Sequence, residues 1–368
     1  MSWTYGRKTF SQPGRDTSFI TWITSVAWHR FRKVTAVTMN QQSHLLSYDD
    51  VAAAATRIKG FARTTPLIES FATSAACDAR VFLKAETLQH TGSFKFRGAF
   101  NLIGQLSAEQ KSKGVVAYSS GNHAQAVAKV ASLGNINATI VMPSDAPQIK
   151  IKATQSFGAQ TVLYDRYTEC REDIAAAIAK ESGATLVPPF DHPHTIAGQG
   201  TVGLEIVVQL TELKTVPDVV LVPCGGGGLV AGMATAIRHH FPHTQIYSVE
   251  PEGFDDTARS LASGVRETAN SDAKSICDAL LVPIPGQLTF AINQRILSGG
   301  YEVNDSMVQK AMAFAFLQEK LVVEPGGAVA LAALLNSVDD FSGKTIVAVL
   351  SGGNVDPATF NKAISETA

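Results

Sequence analysis

The chain has 368 residues, of which 45% are hydrophobic and 17% are charged, and its formal net charge is −1. This length exceeds one ordinary core and predicts two domains, and the composition is that of a packed protein rather than a disordered one. The balanced charge and the lack of a basic stripe argue against nucleic acid as a partner. No apolar segment of the sequence reaches the roughly 18–20 residues that a membrane span needs.

The amino-terminal 44 residues differ in composition from the rest. Six basic residues stand in the first 40 positions against a single acid, Asp16. We interpret residues 1–44 as an extension outside the globular part, either a disordered tail or the result of a start assigned too early, because Met39 directly precedes the globular pattern. An acid-poor start with Arg and Ser is also typical of a mitochondrial transit peptide, which stays open as an alternative.

From residue 47 onward, short β-branched segments alternate with longer helical ones, as in a parallel α/β protein. Helices are predicted at 122–133, 174–181 and 228–240. The predicted strands are 80–84, 114–118, 138–142, 160–163, 185–187, 219–222, 245–249 and 345–350. Because the connections are short, we expect a small domain of residues 114–191 to be inserted in a large domain of residues 45–113 and 192–368.

The four cysteines, Cys77, Cys170, Cys224 and Cys277, are widely separated. They form no CxxC pair or Cys/His cluster, so the sequence suggests neither a zinc site nor a disulfide framework. Scattered thiols fit a reducing compartment, and we predict a cytoplasmic location.

Three glycine-bearing loops each follow a predicted strand: residues 119–123, 225–228 and 351–354. In open α/β sheets, ligands bind outside the carboxyl ends of the strands. The three loops therefore predict one shared pocket.

The second of these loops consists of four glycines, Gly225, Gly226, Gly227 and Gly228, between a strand and a helix. Exposed backbone N–H groups and a helix amino terminus favour a phosphate. A tight turn is the alternative, but four successive glycines exceed what a turn requires. The loop lacks the Gly-Lys-Ser/Thr ending of a nucleotide-binding P-loop.

Two further polar segments could carry chemistry. Lys95 lies in a Gly/Ser-flanked apolar stretch, where burial would leave its amine nucleophilic, although a surface lysine is the commoner explanation. The loop of Ser119, Ser120, Gly121, Asn122 and His123 could hold a carboxylate at a helix start, or it could simply cap that helix.

Four motifs in this order resemble the fold-type II pyridoxal-phosphate enzymes, and among them the serine racemase and threonine/serine dehydratase group. The motifs are Ser-Phe-Lys-Phe-Arg-Gly at 93–98, Ser-Ser-Gly-Asn-His at 119–123, the glycines at 225–228 and Ser-Gly-Gly-Asn at 351–354. The resemblance runs from about Tyr48 to Asp356. It implies a tryptophan-synthase-β-like α/β fold with two parallel-sheet domains, pyridoxal 5′-phosphate as cofactor, and a homodimer.

The resemblance also implies a role for each site residue. Lys95 would be the catalytic lysine that binds the cofactor covalently, with Phe94 beside the ring. The four glycines would hold the phosphate, Asn122 would contact the phenolic oxygen, and Ser351 would meet the pyridine nitrogen. A serine there cannot keep the ring protonated as an aspartate would, which favours rapid loss of a β-substituent. The substrate would be bound by Ser119, Ser120, Asn122 and His123.

The activity implied is that of an ammonia-lyase that converts L-threonine or L-serine to 2-oxobutanoate or pyruvate and ammonia. Serine racemase and threo-3-hydroxyaspartate dehydratase are alternatives with the same site. Ser120 stands where racemase-like members carry a second acid/base. The acidic turn matches their divalent-cation site, with Glu250 and Asp256 as side-chain ligands and the Phe254 carbonyl as a third, and it predicts Mg²⁺ or another divalent cation.

A nicotinamide-dependent dehydrogenase, from outside this class, could also use a glycine loop after a strand. Such an enzyme has no use for the Ser-Phe-Lys segment, and the sequence offers no acid at a position suited to bind a ribose.

Overall fold

The computed structural model describes residues 45–366, so the predicted extension at 1–44 lies outside the described residues. The strands within this range are β1 Leu67–Glu69, β2 Arg80–Ala85, β3 Val115–Tyr118, β4 Ala138–Pro143, β5 Gln160–Tyr164, β6 Thr185–Leu186, β7 Val219–Pro223, β8 Gln245–Pro251, β9 Gly299–Val303 and β10 Thr345–Leu350.

The α-helices are α1 Tyr48–Ile58, α2 Phe71–Cys77, α3 Lys95–Gly104, α4 Ala108–Lys113, α5 Asn122–Leu133, α6 Gln148–Ser156, α7 Arg171–Ser182, α8 Pro193–Glu212, α9 Gly228–His240, α10 Asp256–Ser263, α11 Gln287–Ile296, α12 Asp305–Leu317, α13 Pro325–Asn336, α14 Val338–Phe341 and α15 Pro357–Ser365. None of the helices within residues 45–366 combines the length and apolar character needed to cross a membrane.

The strands form two sheets, which confirms the predicted α/β class. The larger has the order β1-β2-β10-β7-β8-β9 and is parallel except for the antiparallel pair β1–β2. The smaller has the order β5-β4-β3-β6 and is parallel throughout. Its strands come from residues 115–186, and the domain boundaries drawn at 114 and 191 stay a prediction.

Every predicted strand is present, with ends that differ by at most two residues. Two strands were not predicted. β1 has only three residues, and β9 opens with Gly299 and Gly300, whereas glycine is depleted in strands.

The central strands of the larger sheet, β2, β10 and β7, are buried on both faces, which is why they are mostly apolar. Phe82 pairs with Val347 in register, and both lie in the core beneath α8 and α9. The next pair along, Leu83 and Ala348, belongs to the opposite core, beneath α12 and α13.

Glycines allow α8 and α9 to touch backbone to backbone. A Cβ atom on Gly232 would lie 2.3 Å from the carbonyl oxygen of Ile196 and 2.6 Å from the nitrogen of Gly200. This contact fixes α9, whose first residue is the last of the four glycines.

A buried network of charges anchors α3, the helix that begins at Lys95. The Arg97 guanidinium donates to both Glu86 oxygens at 2.8 Å and to the two Glu205 oxygens at 2.6 and 2.9 Å. Lys84 donates to Glu205 at 2.7 Å. Arg97, Glu86 and Lys84 are inaccessible to solvent and Glu205 is only partly exposed, so water competes little with the network that ties α3 to β2 and α8.

Candidate active site

The three predicted loops meet at one cavity, with the start of α3 as a fourth wall. The loops follow β3, β7 and β10, so the cavity lies at the carboxyl ends of strands from both sheets. The predicted cofactor-binding and substrate-binding residues all line it, namely Phe94, Lys95, Ser119, Ser120, Asn122, His123, Gly225, Gly226, Gly227, Gly228 and Ser351.

Lys95 is the first residue of α3, and its amine faces this cavity. The Nζ donates a 2.8 Å hydrogen bond to the carbonyl oxygen of Pro189 and lies 5.2 Å from the centre of the Phe94 ring. Burial lowers the pKa of the Lys95 amine to about 8, while the charge of Glu324 opposes the shift. A substantial neutral fraction near pH 8 is what addition to an aldehyde requires.

The glycine loop is shaped so that side chains could not be accommodated. A Cβ atom on Gly226 would lie 2.5 Å from the Phe190 ring, and Gly227 has φ +86°, a left-handed conformation that favours glycine. The Gly226 carbonyl accepts from the Thr289 hydroxyl at 2.7 Å. The first N–H groups of α9 have no partners within the helix, so the loop can hold a phosphate.

The last loop is joined to the segment that carries Lys95. The Phe94 nitrogen donates to the Ser351 carbonyl at 3.2 Å, and the Gly353 nitrogen donates to the Gly92 carbonyl at 2.9 Å. Ser351 is almost completely buried and lines the cavity. Its hydroxyl can therefore contact the nitrogen of a ring that is bound between α3 and this loop.

The loop after β3 presents small polar groups at the start of α5. The Gly121 nitrogen donates to the Ser119 hydroxyl oxygen at 3.2 Å, which leaves the hydroxyl hydrogen free to donate elsewhere. Ser120 is half-buried and lines both this cavity and a neighbouring pocket. Hydroxyls and the first N–H groups of a helix together form a suitable site for a carboxylate.

His123 is held by a backbone carbonyl rather than aimed at a reactant. Its Nε2 lies 2.8 Å from the Val187 oxygen, and because a carbonyl only accepts, Nε2 carries the hydrogen. Burial lowers the pKa of His123 to about 3, so the ring is neutral. The buried Nδ1 has no partner and cannot donate to a carboxylate. The group of His123 that could bind substrate is its backbone N–H, in the first turn of α5.

The lining residues that were not predicted from the sequence include Tyr118, Lys150, Arg171 and Glu324. The Arg171 guanidinium lies 5.5 Å from the centre of the Tyr118 ring and donates to Glu172 at 2.8 Å. Lys150 is buried and forms an ion pair with Asp278. These cations stand on helices that follow β4 and β5, and neither has a motif around it that marks it as a site residue.

The predicted cation ligands lie away from this cavity, at the end of β8. Glu250 is fully buried and accepts from the nitrogens of Thr257 at 3.0 Å and Ala258 at 2.8 Å. Asp256 is also buried, and its Oδ2 has no hydrogen-bond partner. Burial and the neighbouring charge of Asp256 raise the pKa of Glu250 to about 8. Burial also raises the pKa of Asp256 to about 7. No cluster of three or more Asp, Glu, His or Cys side chains suited to a metal occurs within 45–366, so the cation stays a prediction.

The chain is similar to known proteins over most of its length. Residues 58–352 match the family model described as pyridoxal-phosphate dependent enzyme. The chain is 42% identical over 319 residues to the L-threo-3-hydroxyaspartate ammonia-lyase of Saccharomyces cerevisiae, covering 87% of this chain and 96% of that protein. It is 39% identical over 328 residues to the serine racemase of Schizosaccharomyces pombe, covering 89% and 100%.

A solved structure shows the same architecture. The crystal structure of the T.th. threonine deaminase superposes with a TM-score of 0.80 at 40% identity, covering 84% of this chain and 99% of that one. The relatives are thus enzymes named for three different amino acids, and one of them is a racemase.

Proposed function

Because this chain belongs to the family of pyridoxal-phosphate-dependent enzymes, we propose that it is an ammonia-lyase that dehydrates and deaminates small 3-hydroxy amino acids. The observation that carries the proposal is the placement of the Lys95 amine in one cavity with the glycine loop and the loop 119–123. Lys95 would hold the cofactor aldehyde, the glycine loop its phosphate, and the loop 119–123 the substrate carboxylate.

The residues present fit the cofactor. Gly226 and Gly227 leave the backbone bare where a phosphate would lie, and the partly neutral Lys95 amine is a suitable nucleophile for the aldehyde. Ser351 offers a hydroxyl to the pyridine nitrogen and Asn122 an amide to the phenolic oxygen. Bound pyridoxal phosphate supplies an electron sink that acidifies the hydrogen on the substrate α-carbon.

The chain's own side chains then move the protons. With the substrate bound, the Lys95 amine would remove the α-proton as a general base. The β-hydroxyl leaves as water, and hydrolysis returns one water as ammonia departs. The net products are pyruvate from serine, 2-oxobutanoate from threonine and oxaloacetate from 3-hydroxyaspartate.

Arg171 favours 3-hydroxyaspartate as a substrate beside serine and threonine. Its guanidinium lines the same cavity as the loop 119–123, where a second carboxylate of the substrate could be paired. The Glu172 contact and the Tyr118 ring hold the guanidinium in place. The ammonia-lyase relative named for hydroxyaspartate supports this choice.

Serine racemisation is a second candidate activity, which Ser120 favours. Its hydroxyl lines the cavity from the loop after β3, whereas Lys95 enters from α3. A hydroxyl opposite the lysine could return a proton to the other face of the α-carbon. The racemase relative supports this assignment.

A divalent cation such as Mg²⁺ would be bound by Glu250, Asp256 and the Phe254 carbonyl. The Glu250 and Asp256 carboxylates are buried near each other, and the Asp256 Oδ2 has no hydrogen-bond partner. A bound cation would supply the positive charge that this pair lacks.

The proposal is tested by measuring the keto acid formed from L-serine, L-threonine and L-threo-3-hydroxyaspartate. We expect product from all three substrates. Arg171→Gln should lower kcat/KM for hydroxyaspartate at least about tenfold and change kcat/KM for serine little, since only hydroxyaspartate has a second carboxylate. Arg166→Gln is the matched control, because Arg166 pairs with Asp145 and does not line this cavity. No keto acid from any of the three would overturn the proposed activity, and equal losses for both substrates would remove Arg171 as the selective residue.

A further inference from the structure

Glu324 is a buried glutamate on the wall of the cavity to which no motif assigns a role. It precedes α13, is 1% exposed, and lines the cavity with Lys95 and Ser351. Its Oε1 accepts a 2.5 Å hydrogen bond from the Asn122 side-chain amide. Its Oε2 is buried and has no hydrogen-bond partner.

Asn122 is one member of a hydrogen-bonded chain that crosses the site. Its Oδ1 accepts from the Asn354 Nδ2 at 2.7 Å, and the same Nδ2 donates to the Thr91 carbonyl at 2.7 Å. The chain thus runs from Thr91 through Asn354 and Asn122 to Glu324. It joins the loop before Lys95, the last loop, the start of α5 and the start of α13.

The direction of this chain is fixed by its two ends. A backbone carbonyl only accepts, so Asn354 must present its NH₂ group to Thr91 and therefore also to Asn122. The carboxylate oxygen of Glu324 accepts at the other end, so Asn122 must present its own NH₂ group there. Both ends demand the same orientation of the Asn122 amide, and reversing it would set its oxygen against the carboxylate.

The second hydrogen of the Asn122 NH₂ group remains for a ligand in the cavity. An amide held in this orientation offers a donor and not an acceptor, which suits the phenolic oxygen of the cofactor. The fold also makes room for Glu324, because a Cβ atom on Gly352 would lie 2.1 Å from its Oε1. No side chain at residue 352 is compatible with this carboxylate.

We propose that Glu324 is a positioning residue, which fixes the Asn122 amide so that it donates to the phenolic oxygen of bound pyridoxal phosphate. The inference rests on the proposed function, because it takes Lys95 as the lysine that binds the cofactor. Glu324 acts by accepting a hydrogen bond, and its charge is secondary.

The surroundings of Glu324 agree with this. Burial raises the pKa of the Glu324 carboxyl to about 7, with Lys150 and Lys95 opposing the shift and Asp278 adding to it. Both protonation forms therefore exist near neutral pH. Oε1 can accept from Asn122 in either form, because the proton of the acid form can reside on Oε2.

The test is a titration of pyridoxal phosphate into the full-length protein freed of cofactor, with the dissociation constant and the visible absorption spectrum as readouts. Glu324→Ala should weaken binding about tenfold and shift the visible band, since the Asn122 amide loses its anchor. Glu324→Gln should bind within about threefold of the wild type with an unchanged band, because its amide oxygen can still accept. Glu319→Gln is the matched control, since Glu319 contacts Ser70 and Thr73 outside the cavity.

Two results would overturn the inference: an Ala variant that binds the cofactor like the wild type, or a Gln variant as impaired as the Ala variant. If Glu324→Ala does not fold, Asn354→Ala must produce the band shift, because Asn354 holds the Asn122 amide from the other side. An unshifted band in Asn354→Ala would likewise overturn the inference. A wild-type protein that binds no pyridoxal phosphate would instead refute the proposed function, and the inference with it.

Discussion

The amine of Lys95 and the carbonyl oxygen of Pro189 are joined by a 2.8 Å hydrogen bond. Pro189 lies between β6 and α8, so this bond connects the start of α3 to the chain that leaves the smaller sheet. The Pro189 carbonyl can accept this bond whether or not the Lys95 amine is charged, because a neutral amine also donates. The contact therefore orients Lys95 in the protonation form that reacts.

The pH dependence of cofactor incorporation follows from the Lys95 amine. Its pKa is lowered to about 8, so the reactive neutral fraction grows about tenfold per pH unit below that value and saturates above it. We expect the rate of cofactor binding to rise between about pH 6 and 8 and then level off. The rate is measured from the growth of visible absorbance. Lys95→Ala should give neither the band nor turnover, and a rate independent of pH would contradict the assignment.

Ser120→Ala should separate the two activities. Removing the hydroxyl abolishes proton return to the opposite face, so serine racemisation should fall about a hundredfold or more while elimination persists. Racemisation is followed by chiral separation of serine, and elimination by pyruvate. Ser119→Ala is the comparison, because loss of a carboxylate contact should weaken both reactions alike. Racemisation that survives in Ser120→Ala would show that another group returns the proton.

Removing Arg97 should destabilise the fold strongly. Its guanidinium is the shared partner of Glu86 and Glu205, so Arg97→Met leaves the buried Glu86 carboxylate without its cation and Glu205 with Lys84 alone, and it should cost about 3–5 kcal/mol of unfolding free energy. The exposed pair of Lys113 and Glu109 is the control, and Lys113→Ala should cost under about 0.5 kcal/mol. Urea denaturation of both variants measures the difference. A loss below about 1 kcal/mol for Arg97→Met would mean that water enters the network and hydrates these charges.

A divalent cation should stabilise the protein through the predicted ligands. Mg²⁺ at a hundred times its dissociation constant should add about 2.7 kcal/mol, seen as a higher melting temperature that a chelator reverses. Asp256→Asn should abolish the shift. Asp255→Asn should retain it, because the Asp255 carboxylate is paired with Arg259. The same stabilisation in Asp256→Asn as in the wild type would place the cation elsewhere.

The sequence predicted the strands and the site loops because their signals are local. A β-branched run followed by glycines gives both the strand and the loop that ends it, as at residues 219–228. The bounds of α5 and α9 agree with the prediction to the residue, because each begins at a glycine-bearing loop.

Contacts between distant segments carry no such signal. Arg171 and Glu324 are 153 residues apart and line one cavity only because the two sheets bring them together. The neutral state of His123 depends on its burial and on the nearby charge of Lys95, neither of which can be read from its own motif. The homodimer and the cytoplasmic location also stay predictions.

Because Gly226 lies so close to the Phe190 ring, the residue tolerated at either position depends on the residue at the other. A methyl group at residue 226 would collide with the ring, whereas a smaller residue at 190 would leave room for it. Homologous chains that carry alanine or serine at the position of Gly226 should therefore lack an aromatic residue at the position of Phe190. A side chain at residue 226 would therefore require the Phe190 ring to move or to be lost.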